Sequence, residues 1–316
     1  MSLSNAPQTA PSLEAEAPAP RAGWLSRIAA LVLALRPRQW TKNLLLFAGL
    51  LFTLDQPHPT EHFLLAVRGF FVFCLLSGCV YLLNDIADVE ADRRHPRKRH
   101  RPIAAGLLPV PAALVFAALL LPVALVLAWG INVKFFATAL LYFLVTVLYT
   151  FSLKHVVLVD LFALAGGFVL RAAAGSFAVR VPNSEWLLLC TTLLALFLGL
   201  AKRRGELMAL GDNPATRRIL ADYSIPMLDQ MITIVASACV MAYSLYTFFA
   251  KPNLGRPYMM ATIPFVIYGL FRYLYLSHRR GVGESPESAL LEDRPLLVNI
   301  GLWILVTLLV MLQGKI

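Results

Sequence analysis

Residues Asn84–Gly106 read NDIADVEADRRHPRKRHRPIAAG, and the rest of the chain is arranged around this stretch. An apolar run from Phe63 to Leu83 leads into it and breaks off into aspartates at 85, 88 and 92. Six cationic residues then follow within nine positions: Arg93, Arg94, Arg97, Lys98, Arg99 and Arg101. At about 100° per helical residue, positions i, i+3 and i+7 lie within roughly 60° of one another. The spacing predicts that Asp85, Asp88 and Asp92 share one helical face, with Asn84 beside them and Glu90 pointing elsewhere. Carboxylates packed there without a partner would repel one another, so a cation is the economical explanation. Hard oxygen ligands of this kind (Asn84, Asp85, Asp88 and Asp92) suit Mg²⁺, which takes its remaining ligands from water and substrate phosphates. The basic run supplies phosphate donors, and Arg grips such oxygens in bidentate fashion. A basic run alone is ordinary in an inside-facing loop of a membrane protein; the carboxylates set this one apart.

Of the 316 residues, 59% are hydrophobic and only 15% charged. Apolar spans of about 20 residues recur along the chain, which excludes a soluble domain and predicts an all-α, polytopic membrane bundle. The net charge of +10 would suit nucleic acid, but its placement in the loops argues for topology instead, so no nucleic-acid partner is expected. The four cysteines (Cys74, Cys79, Cys190 and Cys239) sit inside apolar runs and read as small core hydrophobes.

Residues 1–22 are rich in Ala, Pro and Ser and read as a disordered tail, leaving 23–316 as one transmembrane domain. The short apolar run Ile28–Leu35 lacks a small-residue cleavage site and is not a signal peptide. Trp24, Leu25, Ile28, Leu31, Val32 and Leu35 form one stripe, predicting an interfacial helix over about 24–36. Nine spans follow at approximately 41–55, 62–84, 107–129, 134–153, 157–178, 186–201, 229–250, 257–276 and 295–313. Pro122 and Pro264 are candidate kinks. Counted over the loops this pattern defines, twenty Lys/Arg fall on one side. Five (Lys134, Arg180, Lys251, Arg256 and Lys315) fall on the other, with Arg68, Arg171 and Arg272 inside spans. The bias predicts a multi-pass protein of the inner (cell) membrane with its N-terminus and polar loops in the cytoplasm and its C-terminus outside.

A second polar constellation closes the fourth span: Tyr149, Lys154 and His155, followed by Asp160 and Arg171 in the fifth. Eleven residues is close to three helical turns, so Asp160, Gly167 and Arg171 are expected on one face. Ala163, Gly166, Gly167, Ala172, Ala173, Ala174 and Gly175 around them are small enough to let helices approach closely. An ionisable pair inside a span is either a structural ion pair or functional. The functional reading makes Asp160 a second metal or ribose contact, and Lys154 and Arg171 phosphate ligands. Lys42 and Asn43 at the first span, and Lys202, Arg203 and Glu206 after the sixth, share the same depth and complete the walls of one anionic pocket. Lys98 and Arg101 join the phosphate donors, and His95 and His155 read as hydrogen-bond donors to phosphate rather than metal ligands.

The combination resembles the UbiA superfamily of intramembrane transferases: nine spans, Asn-Asp-x-x-Asp-x-x-x-Asp after the second, His-Pro-x-Lys-x-x-Arg-Pro beyond it, and a polar motif after the fourth. The resemblance implies a Mg²⁺–diphosphate site at Asn84, Asp85, Asp88 and Asp92. Most members carry a second Asp-x-x-x-Asp motif; here Leu164 stands four residues after Asp160. Arg36–Asn43, Ser152–His155, Gly167–Ala172, Lys202–Leu207 and Leu291–Pro295 are similar instead to the phosphoribosyl-transferring branch. That likeness implies transfer of 5-phosphoribose from phosphoribosyl diphosphate (PRPP) to a polyprenyl (decaprenyl) phosphate, feeding arabinose donors for cell-wall polymers.

In this reading Asp85, Asp88, Asp92 and Asp160 carry the chemistry with Mg²⁺. The acceptor is already anionic at neutral pH, so no strong general base is needed, and none of the usual Ser/His/Asp or Cys/His arrangements is present. The expected partners are PRPP, a polyprenyl phosphate and the membrane itself, with homo-oligomerisation left open. The alternatives are a prenyltransferase of the same superfamily and, more remotely, a transporter of anionic lipid or phosphosugar.

Overall fold

The structure, a computed structural model, describes residues 24–54, 60–96, 98–210, 218–249, 257–279 and 292–313. The expected tail over 1–22 lies outside them. Every regular element among the described residues is helical. In chain order these are α1 (Trp24–Ala34), a 3₁₀ segment (Pro37–Phe47) running into α2 (Ala48–Leu51), α3 (Thr60–Ala87), α4 (Val89–Arg94) and α5 (Val110–Trp129). They continue as α6 (Val133–Phe151), α7 (Val159–Ala178), α8 (Glu185–Leu210), α9 (Ile225–Phe249), α10 (Ile263–Arg279) and α11 (Arg294–Gln313).

Eight helices, α3 and α5 to α11, are long and apolar enough to cross a membrane, α10 together with its leading 3₁₀ turn. The chain is a multi-pass membrane protein. The first of the nine expected spans, 41–55, is not among these eight and is wound differently. Pro37–Leu51 is mostly 3₁₀, which rises about 2.0 Å per residue against about 1.5 Å for an α-helix. Fifteen residues so wound reach roughly 28 Å, near the ~30 Å thickness of a hydrocarbon core. Of the two candidate kinks, Pro122 lies inside α5, whereas Pro264 sits in the first turn of α10, where its missing N–H breaks no helical bond.

Two packed cores share α7. One joins Leu46, Val72, Phe73, Phe135 and Tyr142 to Ala174 and Ala178 of α7. The other joins Phe197, Leu228, Leu270 and Leu296 to Leu161 near the other end of the same helix. Outward faces are apolar too: α5 turns Leu114, Val115, Leu119, Val123 and Val126 away from the protein, as a helix against lipid does. The stripe expected on α1 divides. Ala30 and Ala34, with Leu31 and Leu35, pack on α3 and α5, while Ile28 and Val32 stay exposed. Cys74, Cys79 and Cys239 are buried core residues and Cys190 is half-buried.

The small residues of α7 do not all serve the close approach expected of them. A Cβ at Gly175 would stand 2.0 Å from the Leu46 carbonyl oxygen, so only glycine lets the first span lie this close. At Gly166 nothing stands within 4 Å. We therefore expect Gly175→Ala to destabilise the fold by about 1–3 kcal/mol through overpacking, and Gly166→Ala to shift it by no more than about 0.5 kcal/mol. Thermal unfolding of the two variants in the same detergent checks this.

Candidate active site

The charged ends of α3, α4, α6, α7 and α8 meet at one end of the bundle. Asp85 and Asp92 are almost fully buried and converge on one guanidinium: Arg101 Nη1 donates to Asp85 Oδ1 at 3.1 Å and to Asp92 Oδ2 at 2.6 Å. The two therefore share a face, as their seven-residue spacing requires. Asp88 does not join them. The helix closes at Ala87 and reopens at Val89, with Asp88 at the junction (φ −98°, ψ 9°), and its Oδ1 accepts Lys154 Nζ at 3.0 Å. Instead of three aspartates on one helical face, the structure has a buried pair and a more exposed third, drawn aside by a cation from beyond α6.

Arg36 enters the same cluster without having been singled out as a site residue. Its guanidinium is hydrogen-bonded to Asp85 and lies 4.7 Å over the Tyr81 ring. Its backbone is left-handed (φ 52°, ψ 64°), a conformation uncommon for a residue with a side chain. That turn swings the chain from α1 into the first span and aims the side chain at Asp85. The only local signal was the Arg-Pro pair, because proline narrows the conformations open to the residue before it.

Among the described residues, no group of three His, Cys, Asp or Glu side chains stands arranged to hold a metal. The donor chemistry nevertheless fits a hard divalent ion. Two buried carboxylates already converge on one cationic nitrogen, and the third, 33% exposed, faces the opening beside Lys154. Asn84 is half-buried, one position before Asp85.

The second constellation forms a separate cluster, and the Asp160–Arg171 proximity expected from spacing is not used as a pair. Asp160 is fully buried, accepts Arg203 Nε on Oδ2 at 2.8 Å and takes the Tyr223 hydroxyl on Oδ1 at 3.3 Å. Arg203, equally buried, also donates to Glu206 at 2.6 Å and to the Tyr149 hydroxyl at 3.4 Å. Lys202 lies 4.0 Å from Glu206. With both oxygens hydrogen-bonded inward, Asp160 acts as a counter-charge that locks α7 to α8. The turn that delivers it is strained. Leu158 has φ 65°, the Val159 N–H closes back on the Val157 carbonyl at 2.8 Å, and the Leu158 N–H donates to the Tyr223 hydroxyl at 2.9 Å. Burial pushes the Tyr223 phenol above its ordinary value, so it stays a neutral hydroxyl that both donates and accepts. Nothing in the local sequence marked Tyr223, which lies 63 positions from its partner.

Arg171 belongs to a third group, deeper in the bundle. It donates from Nε to Asn43 Oδ1 at 2.8 Å, from Nη1 to the Gly167 carbonyl at 3.0 Å and from Nη2 to the Tyr142 hydroxyl at 2.7 Å. Asn43 is fully buried and bonds onward to Cys74, while Ser77 joins Tyr142 at 3.2 Å. Of the remaining expected residues, Lys42 is half-buried on the first span, and Lys98 and His155 are exposed. His95 accepts the Lys98 backbone N–H on Nδ1 at 3.3 Å. The single pocket expected from a common depth is thus three polar layers: the aspartate mouth, the Asp160–Arg203 lock and the Arg171 nest.

The division predicts different costs for superficially alike changes. Asp160→Asn removes one of the two carboxylates that meet the buried Arg203 charge and leaves Glu206 as the other, at a cost of about 1–3 kcal/mol. Asp88→Asn, on a half-buried pair at the mouth, costs less, about 1 kcal/mol. Thermal unfolding of both variants, independent of any assay of turnover, separates the two roles.

Comparison with known proteins places this arrangement. The model of the UbiA prenyltransferase family matches residues 43–291. A decaprenyl-phosphate phosphoribosyltransferase of Mycolicibacterium smegmatis is 35% identical over 290 residues, 88% of this chain and 91% of that protein. Its namesake from Corynebacterium glutamicum is 35% identical over 287 residues, 87% of this chain and 84% of that one. Among solved structures, a UbiA homologue from Archaeoglobus fulgidus bound to GPP and Mg²⁺ superposes with a TM-score of 0.69 at 19% identity, covering 89% of this chain and 99% of its own. With the family model spanning from the first span's Asn43 through the aspartate mouth, the lock and the nest, the chain belongs to the UbiA prenyltransferase family.

Proposed function

We propose that this chain transfers a 5-phosphoribosyl group from PRPP to a polyprenyl phosphate, releasing diphosphate, with the aspartate mouth facing the cytoplasm. The observation that carries the reading is the likeness, over nearly their whole length, to relatives named for that transfer. The chemistry of the mouth supports it. In the reaction the C1–O bond to diphosphate breaks, diphosphate leaves with the bonding pair, and a lipid phosphate oxygen forms the new C1–O bond. The nucleophile is already anionic, so the site has anions to position rather than a proton to remove.

Asp85, Asp92 and Asp88 would hold Mg²⁺, which the Archaeoglobus homologue was solved with. Once bound, the ion supplies neutralisation of the leaving diphosphate. Arg101, Lys154 and Arg36, now paired with those carboxylates, are the cations nearest to a diphosphate arriving there, and charge-assisted bonds to its oxygens suit them. The Asp160–Arg203 lock orients the start of α7 and so the Lys154 turn next to it. The isoprenoid tail lies along the apolar outer helices, in lipid, while the water-soluble donor reaches the mouth from the aqueous side. The bias of Lys/Arg toward the same end of the bundle supports the cytoplasmic orientation.

The deciding experiment supplies purified protein in lipid nanodiscs with labelled PRPP and a polyprenyl phosphate, or with a labelled prenyl diphosphate and an aromatic acceptor. Label should enter lipid from PRPP alone, vanish with a chelator and return with Mg²⁺; label from the prenyl diphosphate instead would make the chain an ordinary prenyltransferase. In the same assay Asp85→Asn should lower turnover at least about a hundredfold. Lys154→Ala should raise the PRPP concentration needed more than the lipid concentration needed, and equal effects on both would remove Lys154 from the donor side.

A further inference from the structure

Among the described residues, six arginines with little or partial exposure carry polar contacts in the bundle, and five of them face a carboxylate. Arg36 and Arg101 face Asp85, Arg203 faces Asp160, Arg204 faces Asp229 and Arg272 faces Asp293. Arg171 is the exception. It is 6% exposed, its three hydrogen bonds go to neutral oxygens, and the rings of Tyr142 and Phe168 lie 4.6 and 5.4 Å from its guanidinium carbon. Among the described residues no Asp or Glu pairs with it, and two of its five N–H donors meet no acceptor. A cation held inside a membrane bundle by neutral dipoles alone is costly, and an arriving anion would recover that cost. Guanidinium offers such an anion a planar fork suited to two oxygens of one phosphate.

The nest is also not the diphosphate site. Ser77 of the nest and Asp85 of the mouth lie eight residues apart on α3, which sets the two levels about 12 Å apart. The Nη1 bond to the Gly167 carbonyl draws that nitrogen back one turn along α7, toward the aspartate end of the helix. The surrounding walls are Leu46, Phe73, Phe135 and the Tyr142 ring, all apolar surface.

We propose that the Arg171 nest is the receptor for a phosphate monoester, distinct from the metal–diphosphate site. The choice of monoester rests on the proposed function, because both of its substrates carry one: the polyprenyl phosphate head and the 5-phosphate of the sugar. Asn43 and Tyr142 are positioning residues that hold the fork.

The test is calorimetric binding to the full chain in phosphatidylcholine nanodiscs, using farnesyl phosphate, ribose 5-phosphate and magnesium diphosphate as three separate probes. Arg171→Gln should weaken at least one monoester by about tenfold or more while magnesium diphosphate stays within about twofold. Loss of farnesyl phosphate alone identifies the lipid head as the ligand, and loss of ribose 5-phosphate alone identifies the sugar phosphate. Both monoesters unchanged, or magnesium diphosphate weakened equally, would overturn the proposal. Should Arg171→Gln fail to fold, Tyr142→Phe keeps the charge and ring and removes one alignment bond; it must weaken the same monoester at least about threefold, and no change overturns the receptor. Failure of labelled PRPP to donate, with monoester binding still dependent on Arg171, would remove the functional reading and leave the receptor standing. Normal transfer with monoester binding indifferent to Arg171 would remove the receptor alone.

Discussion

An ionised carboxylate inside a lipid-embedded bundle needs a partner, because the medium around it cannot solvate the charge. That constraint organises the polar end of this protein. Asp85 and Asp92 are gathered onto Arg101, Asp85 is also held by Arg36, Asp88 is held by Lys154 and Asp160 by Arg203. The Arg101 pairings are local, but the other three join segments far apart in the chain: the residue before the 3₁₀ segment to α3, the turn beyond α6 to the α3–α4 junction, and α7 to α8. The charges therefore act as fasteners between helices that otherwise meet through apolar surfaces with little directional preference.

The same fasteners prepare the chemistry. The mouth is built from anions and cations that already neutralise one another, so in the proposed reaction exchanging internal partners for a metal and a phosphate would keep the charge balanced. The Asp160–Arg203 lock differs in kind, since both members are completely enclosed and Tyr223 ties the lock to a strained turn at Leu158. It gives the start of α7 one geometry, and Lys154 stands in the short turn just before that helix. Arg171 stands apart from both, its charge met only by dipoles and rings.

Membership of the UbiA prenyltransferase family accounts for the architecture, and the region after α6 carries much of what is individual here. Where a second carboxylate would stand four residues after Asp160 there is Leu164, and the one acidic residue left is spent on Arg203.

The helical, membrane-spanning class was legible in the residues themselves, because apolar length and the bias of cations among loops are one-dimensional quantities. So was the shared face of Asp85 and Asp92, which follows from helical period alone. The sequence also carried the first span, although its 3₁₀ winding could not be read from hydropathy, which is blind to pitch. Partner choice belonged to the tertiary structure. Asp160 looked like a mate for Arg171 at a spacing of three turns, yet it pairs with Arg203 across a helix interface, and Arg171 turns to Asn43 and Tyr142. Asp88 found its partner in a lysine from another segment, and Arg36 and Tyr223 gained their places only when distant parts of the chain met. Local periodicity decides which residues a helix presents on a face, while the contents of the facing helix decide which of them find a partner, and that information is distributed over the whole chain.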